Sequence, residues 1–283
     1  MSLLKNSFTA IQRVLRNRTF RVALSSTWQQ IHDELGVGNV TAKQLVLTPK
    51  DHEKLRNWAS IEAGADPLTT IISGDRLKIA SMVRDEKWAT ESVFSGMIQV
   101  NVRGGEIPLS QGNAVTPPST LLTVAASDIL EEKVNTVVLV ENGIVARNWH
   151  KCRIPEGLIN ALMVYRGHSS EAKAVRGWLD SLPPSVQKIG YFDFDPAGLG
   201  MAIDYGLHAT LIPDPLNEEL VQGTNNKKEL HVQQLIKRPC IGSQLPDSCG
   251  ETWDWMTLNG RKCAVTQEKL MVLEWPLRVL DLK

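Results

Sequence analysis

The sequence lacks the features that mark membrane, secreted and zinc-binding proteins. No apolar run approaches the ~18–20 residues of a membrane-spanning helix. Near the N-terminus, polar residues such as Asn6 and Ser7 interrupt anything like the apolar core of a signal peptide. The four cysteines have no CxxC spacing and no paired histidines nearby, which favours reduced structural thiols over a zinc site. We therefore expect a cytoplasmic protein without a membrane segment.

Acidic residues are missing from the first part of the chain. The 31 basic and 31 acidic residues cancel overall, yet no acidic residue precedes Asp33. The same segment carries five basic residues: Lys5, Arg13, Arg16, Arg18 and Arg21. The four arginines are candidates for contact with DNA phosphates or with a partner, and a solvated helix face is the alternative.

Helical spacing of apolar residues dominates the N-terminal half. It predicts helices over 3–17, over 28–35 with Thr27 as the cap, over 48–63, and over about 74–93. The alternating segment 97–102 and the turn after it predict a strand with a hairpin or wing. A turn-rich stretch with two prolines follows. We predict a mainly helical, winged-helix-like domain over residues 1–130, which binds DNA or a partner.

Strands and helices alternate in the C-terminal half, residues 131–283. Apolar runs predict buried strands at 136–141, 161–165, 188–195 and 209–213. Helices are predicted from a cap at Ser170, from Pro196, over 229–236 and, as the closing element, over 266–273. This repetition is typical of an α/β domain with a parallel sheet and right-handed crossovers.

Three acidic residues end two of the predicted strands. Glu141 closes the first run, and Asp193 with Asp195 closes the third. Ligands gather at the carboxyl ends of parallel strands, and three carboxylates at one edge suit a hard cation such as Mg²⁺. Strand alternation predicts that the two aspartates point together while Phe192 and Phe194 point into packing. Taken singly, Asp195 also fits a helix N-cap, and Glu141 fits a turn residue.

These strand ends resemble the Toprim domain of topoisomerases, primases and overcoming-lysogenization-defect nucleases. The resemblance is carried by Glu141-Asn142-Gly143 and by the segment 190–198, GYFDFDPAG, which ends in Gly198. In this aromatic-rich form the chain is similar to the branch that holds the topoisomerase VI A subunit and JetD, the nuclease of Wadjet (MksBEFG-like) SMC anti-plasmid systems. The turn at 165–168 and the later pair Gln267-Glu268 also look like that branch.

The resemblance implies a C-terminal Toprim domain with a Rossmann-like sheet and a Mg²⁺ or Mn²⁺ site at Glu141, Asp193 and Asp195. A metal ion there would orient a DNA phosphodiester and lower the pKa of a bound water. Glu141 alternatively acts as a general acid or base. Arg166 and His168 are candidates for phosphate contact, and a structural role is the alternative for both.

Tyrosine is absent where a topoisomerase of this branch needs it. Topoisomerase VI A subunits break DNA with a tyrosine in the helical domain that precedes Toprim. All three tyrosines of this chain, Tyr165, Tyr191 and Tyr205, follow Glu141. With the tyrosines so placed, the resemblance implies a hydrolytic, JetD-like endonuclease, a homodimer that serves an SMC-like ATPase complex in plasmid defence.

Other functions stay open on the sequence alone. An inactive Toprim subunit that binds DNA or acts as a scaffold would keep the same acids as remnants. Metal-dependent glycosyltransferases also carry Asp-x-Asp but do not call for Glu141, and phosphatases that phosphorylate the first aspartate usually carry the motif in their first strand. Trp253 and Trp255 either stack on bases or pack in a core.

Overall fold

The chain forms two compact units, Met1–Val93 and Phe94–Lys283. A computed structural model describes residues 3–224, 226–258 and 261–283. The predicted boundary near residue 130 lies well after the division between these units. The reason is pairing, since the strands Met97–Asn101 and Leu122–Ala125 join the sheet of the second unit. No helix in the described ranges is long and apolar enough to cross a membrane.

The first unit packs helices against a small antiparallel sheet with strand order β1-β3-β2. Its helices are α1 (Lys5–Asn17), α2 (Ser26–Leu35), α3 (Pro49–Ala63) and α4 (Arg76–Ala80). Its strands are β1 (Arg21–Ala23), β2 (Asn39–Thr41) and β3 (Gln44–Val46). Of the predicted apolar stripe of α1, Phe8, Ile11 and Leu15 lie in the core, whereas Leu4, at the N-cap position, is exposed.

Helix caps decide where these helices begin. The predicted helices α1, α2 and α3 are confirmed, but the cap of α2 is Ser25 and not Thr27, because the Ser25 hydroxyl accepts the N–H of Trp28 at 3.3 Å. At α3, Thr48 and Asp51 form a reciprocal capping box.

The long helix predicted over 74–93 is wrong. Only the five residues of α4 are helical, followed by a short 3₁₀ turn at Glu86–Trp88. Polar side chains bond to nearby backbone there: the Ser81 hydroxyl donates to the carbonyl of Lys78, and Asp85 accepts the N–H of Lys87. Such local bonds compete with those of a continuing helix.

The second unit is built on a seven-stranded mixed sheet with strand order β10-β9-β8-β6-β7-β4-β5. The strands are β4 (Met97–Asn101), β5 (Leu122–Ala125), β6 (Thr136–Val140), β7 (Leu162–Tyr165), β8 (Gln187–Tyr191), β9 (Ala209–Pro213) and β10 (Leu277–Asp281). The helices are α5 (Gly143–Arg147), α6 (Ser170–Ser181), α7 (Pro196–Asp204), α8 (Glu218–Gly223), α9 (Lys228–Lys237), α10 (Ile241–Gln244), α11 (Gly250–Thr257) and α12 (Gln267–Val272).

The four central strands, β9-β8-β6-β7, are parallel, as the strand–helix rhythm predicts. The outer strands β10, β4 and β5 pair antiparallel, so the sheet is mixed and not wholly parallel. The sequence predicts β4 in a wing of the N-terminal domain, but it pairs with β5 and β7 instead.

The chain order of the central strands creates a switch point. From β6 the chain goes to β7 on one side and then crosses to β8 on the other side of β6. In such sheets the crevice at the carboxyl ends, where the order reverses, is the usual ligand site. Here that crevice lies between the ends of β6 and β8.

Both faces of the sheet are covered. Val138 and Val140 of β6 pack in one core, and Val137 and Leu139 pack in the other. Burial on both faces explains why β6 reads as a continuous apolar run.

Two predictions about helix ends in this unit need correction. The α6 cap expected at Ser170 is wrong, because the cap position is Ser169, whose φ is 51° and whose side chain makes no capping bond. The helix predicted over 266–273 is confirmed as α12, but it does not close the chain. The edge strand β10 follows it.

Candidate functional site

The ends of β6 and β8 bring the predicted acids together. Glu141 directly follows β6, and its N–H donates to the carbonyl of Tyr191, the last residue of β8, at 3.1 Å. Asp193 lies two residues beyond that carbonyl. Burial raises the pKa of both Glu141 and Asp193, and the charge of Asp195 raises both further, whereas a hydrogen bond from the backbone of Asp193 lowers the pKa of Glu141.

The third predicted strand ends at Tyr191 and does not reach Asp195. Beyond Tyr191 the side chains no longer alternate between the two faces of the sheet. The reason is that Asp195 donates its N–H to the carbonyl of Asp193 at 2.9 Å and Phe194 forms a β-bridge with Val265. Phe192 and Phe194 are both buried, as expected, but they pack in the two different cores. The aspartates are therefore set by a tight turn and not by a shared strand face.

Asp195 is the N-cap of α7. One carboxylate oxygen accepts the N–H of Gly198 at 2.7 Å, and the other accepts the side-chain amide of Gln234 at 2.7 Å. Burial raises the pKa of Asp195, while these two hydrogen bonds and the nearby His231 lower it. The capping role that fits the sequence is thus present, and both oxygens already have partners.

Gly198 is required by the close approach of this turn. A Cβ at position 198 would overlap the carbonyl oxygen of Asp193. Only glycine lets α7 start directly against the turn that carries the aspartates. The glycine of the Asp-x-Asp-Pro-Ala-Gly motif therefore has a steric role.

Asp193 is the most perturbed carboxyl of the site. Its Oδ1 accepts the N–H of Gln267, the first residue of α12, at 2.8 Å. Burial raises the pKa of Asp193 to about 7, assisted by the charges of Glu141, Asp195 and Glu268 and opposed by the Gln267 bond. The group changes its protonation near neutral pH.

Gln267 joins the two strand ends. Its side-chain amide donates to the carbonyl of Tyr191 at 2.5 Å and accepts the N–H of Asn142 at 2.9 Å. The side chain is completely buried. No pattern within the sequence identifies this role, and only the resemblance drew attention to the Gln267-Glu268 pair.

Glu268 adds a fourth carboxylate beside the three predicted ones. Its Oε1 accepts the side-chain amide of Asn142 at 2.6 Å, while Oδ1 of Asn142 caps α5 by accepting the N–H of Ile144 at 2.9 Å. Its charge raises the pKa of both Glu141 and Asp193.

Glu141 faces a cation, the guanidinium of Arg166. Arg166 follows β7, and its Nη2 lies 3.7 Å from Oε1 of Glu141, an ion pair that is too long for a hydrogen bond. Oε2 of Glu141 and Nε of Arg166 are buried without a hydrogen-bond partner among the described residues. Burial raises the pKa of Glu141 despite the attraction of Arg166, because desolvation outweighs a distant ion pair.

The remaining predicted residues have varied surroundings. His168 is exposed and lies edge-on to Tyr165, with ring centroids 6.0 Å apart, and Gly143 packs under the same tyrosine ring. Trp255 packs on Phe194, so the packing alternative fits this residue better than base stacking. Trp253 also packs on the core.

The four N-terminal arginines belong to the first unit and are all exposed: Arg13, Arg16, Arg18 and Arg21. Arg16 has a structural task, since it donates to the carbonyls of Leu68 and Thr70 at 3.2 and 2.9 Å. All four cysteines are free thiols, and three of them are buried.

The chemistry of the acids suits a divalent cation, although their spacing is not that of a finished metal site. Within the described ranges no three His, Cys, Asp or Glu side chains are close enough to hold an ion as they stand. The donors are nevertheless hard oxygens, one oxygen of Glu141 has no partner among the described residues, and burial raises the pKa values of all three acids. A bound cation would relieve the repulsion between their charges.

Comparison with known proteins gives one family. The model of the family described as Domain of unknown function (DUF7281) matches residues 95–279. No curated protein matches the chain. The matched range nearly coincides with the second compact unit, Phe94–Lys283, and so includes the whole acidic site. The chain belongs to this family.

Proposed function

We propose that the second unit of this family member is a Toprim-type nuclease that hydrolyses DNA phosphodiesters with Mg²⁺ or Mn²⁺. The observation that carries the proposal is the position of the acids at a switch point. Glu141 follows the first parallel strand, Asp193 and Asp195 follow the third, and the two strands are neighbours. This arrangement supports the Toprim resemblance of the two motifs.

Glu141, Asp193 and Asp195 would hold the cation. When bound, a divalent cation orients the scissile phosphate and lowers the pKa of the attacking water. In the alternative role, in which Glu141 is not a ligand, its Oε2 would accept a proton from that water, since this oxygen has no partner among the described residues. The Arg166 guanidinium beside Glu141 offers positive charge for a phosphate oxygen.

Hydrolysis fits the tyrosines of the second unit better than covalent attack does. A tyrosine nucleophile needs a lowered pKa or an adjacent base. Burial instead raises the pKa of Tyr165 and raises that of Tyr191 well above its ordinary value. The Tyr191 hydroxyl is moreover buried without a partner in the described part of the chain.

Cleavage of supercoiled plasmid tests the proposal. The protein, alone and with any SMC-type partner, is incubated with plasmid in Mg²⁺ or Mn²⁺, with an EDTA control. We expect nicking or linearisation, reduced on the order of 100-fold or more by Glu141→Gln or Asp193→Asn. The matched control is Asp254→Asn, an exposed position on α11, which should cut like the wild type.

Two outcomes would overturn this function. Cleavage that survives in Asp193→Asn would remove the acids from the mechanism, and a protein–DNA adduct trapped by denaturant would replace hydrolysis with covalent chemistry. Binding of plasmid without any cleavage would favour the inactive DNA-binding or scaffold subunit. The absence of a closely assembled acid cluster in the described residues is the observation that favours this second candidate.

For the first unit we propose a winged-helix-like module that binds DNA or a partner. The order α1-β1-α2-β2-β3 with an antiparallel three-stranded sheet supports it, as do the exposed arginines. Charge reversal at all four positions should weaken DNA or partner binding. The four positions are Arg13, Arg16, Arg18 and Arg21. Unchanged binding would remove the proposal. A homodimer that serves an SMC-like ATPase in plasmid defence is proposed on the resemblance alone, and co-purification with such a complex tests it.

A further inference from the structure

A second feature of the same unit has no part in the proposed reaction. It is a surface recess of about 570 Å³, which we call the basic recess. Its walls come from the loop after β4, the turn that follows α5, the segment beside β10 and the end of α12. Its lining includes Arg103, His150, Lys151 and Arg153.

Backbone contacts hold the basic recess in shape. Arg103 donates to the carbonyl of Cys152 at 2.7 Å, and Arg153 donates to the carbonyl of Glu274 at 3.4 Å. The Arg153 carbonyl accepts the N–H of Leu277, the first residue of β10. Each guanidinium has five N–H donors, so each keeps donors for a ligand after making its one bond to a carbonyl.

Positive charge in the basic recess is not balanced. Arg103, Lys151 and Arg153 take part in no ion pair among the residues described, and the only acid in the lining is Glu274. His150 also lies among positive charges. Burial lowers its pKa, and the charges of Lys151 and Arg103 lower it further. The Nδ1 atom of His150 is buried and has no partner in the described ranges. An anion would satisfy these groups.

The basic recess lies one helix length from the acids. The N-terminal ends of α5 and α12 both lie at the acidic site, where Asn142 forms hydrogen bonds with Gln267 and Glu268. At the other end, Met271 and Val272 of α12 and the turn after α5 line the recess. At 1.5 Å per residue, the six residues of α12 span about 9 Å. Two sites separated by a length of this order can contact phosphates that lie close together on one DNA strand.

We propose that the basic recess binds a backbone phosphate of the same DNA, close along the strand to the phosphate at the acids. Guanidinium and ammonium groups recognise a phosphate in the same way whether it belongs to DNA or is free in solution. The acids repel the DNA backbone. The basic recess supplies the attraction for DNA that the acidic site lacks. The inference rests on the proposed nuclease function.

Binding without catalysis tests the basic recess. A fluorescent duplex of about 20 base pairs is titrated in EDTA, at several salt concentrations, with wild type and with the Lys151→Glu/Arg153→Glu variant. We expect about tenfold weaker binding or more near 100 mM salt. The log–log salt dependence should be shallower by about one for each phosphate that the variant no longer binds.

The matched control reverses two exposed lysines, Lys133→Glu/Lys283→Glu, which lie where the parallel strands β6 and β9 begin and do not line the recess. It should bind within about threefold of wild type and keep the wild-type salt dependence. If the double-glutamate variant melts early, the neutral pair Lys151→Gln/Arg153→Gln replaces it, with the same direction and a smaller loss of affinity. Equal losses of affinity in the recess and control variants, or no loss in either, would overturn the inference.

A parallel titration with inorganic phosphate separates the two sources of such an anion. Recess variants that lose affinity for inorganic phosphate but bind the duplex normally would assign the site to a free anion and overturn the proposal. The outcome is independent of cleavage. If the wild type cuts plasmid while the recess variants bind normally, only the inference fails. If the recess variants bind poorly while the wild type cuts nothing, only the nuclease function fails.

Discussion

Replacing Asp193 by asparagine should stabilise the protein at alkaline pH. Asparagine keeps an oxygen that can accept the N–H of Gln267, the 2.8 Å bond of the wild type, but it removes the negative charge. That charge is buried among other acids, and the pKa of Asp193 is accordingly raised to about 7 from an ordinary 3.8. The folded state therefore opposes ionisation of this residue.

The sign of the pH dependence follows from proton binding. Between about pH 4 and pH 7 the folded state retains a proton that the unfolded chain has already released, so the free energy of unfolding falls as the pH rises. The difference between the two pKa values corresponds to at most about 4 kcal/mol. Partial solvent access and coupling to the neighbouring acids reduce this, and we expect about 2 kcal/mol.

Urea denaturation in EDTA measures the effect. Near pH 8 Asp193→Asn should be more stable than wild type by about 2 kcal/mol, and near pH 4 the two should be equal. The free energy of unfolding of the variant should still fall as the pH rises, but by less than that of the wild type, because the pKa values of Glu141 and Asp195 are also raised. Asp254→Asn should change stability by less than about 0.5 kcal/mol at both pH values. A variant that gains no more stability at pH 8 than at pH 4 would show that the charge of Asp193 does not destabilise the folded state.

Two further substitutions test the packing around the acids. Gly198→Ala should lower the free energy of unfolding by about 3 kcal/mol or more, because the new methyl group overlaps the carbonyl of Asp193. The control, Gly177→Ala on α6, meets open space and should raise the free energy of unfolding by about 0.5–1 kcal/mol. Urea midpoints that shift alike in the two variants would contradict the steric role of Gly198. Gln267→Leu should cost about 2–4 kcal/mol, because the N–H of Asn142 loses its partner and the Tyr191 carbonyl keeps only its bond from the Glu141 N–H. A loss below about 1 kcal/mol in the same assay would show that the amide does not join the strand ends.

The central strands could be predicted because local pattern and tertiary position agree. β6 packs in both cores and reads as a continuous apolar run over 137–140. Every residue of β9 is buried, and the predicted strand at 209–213 matches β9 residue for residue. The acids could be predicted because they directly follow such runs. The parallel core and the meeting of Glu141 with Asp193 then follow from strand order alone.

The rest depends on contacts between residues distant in sequence. β8 stops at Tyr191 because Phe194 pairs with Val265, a partner that no local pattern reveals. Gln267 acts on Asn142 across 125 positions, so its role is invisible before the chain is folded. β10 is a short edge strand whose only strand partner in the described ranges is β9, and a five-residue edge strand gives a weak periodic signal.

We propose that Glu141, Asp193 and Asp195 form one divalent-cation site. Binding of Mn²⁺, followed by electron paramagnetic resonance near pH 8, tests it most directly. The wild type should bind Mn²⁺ with a Kd of about 1 mM or tighter, Asp193→Asn should weaken binding about tenfold or more, and Asp254→Asn should bind like the wild type. Equal binding by wild type and Asp193→Asn, or no binding by either, would contradict it.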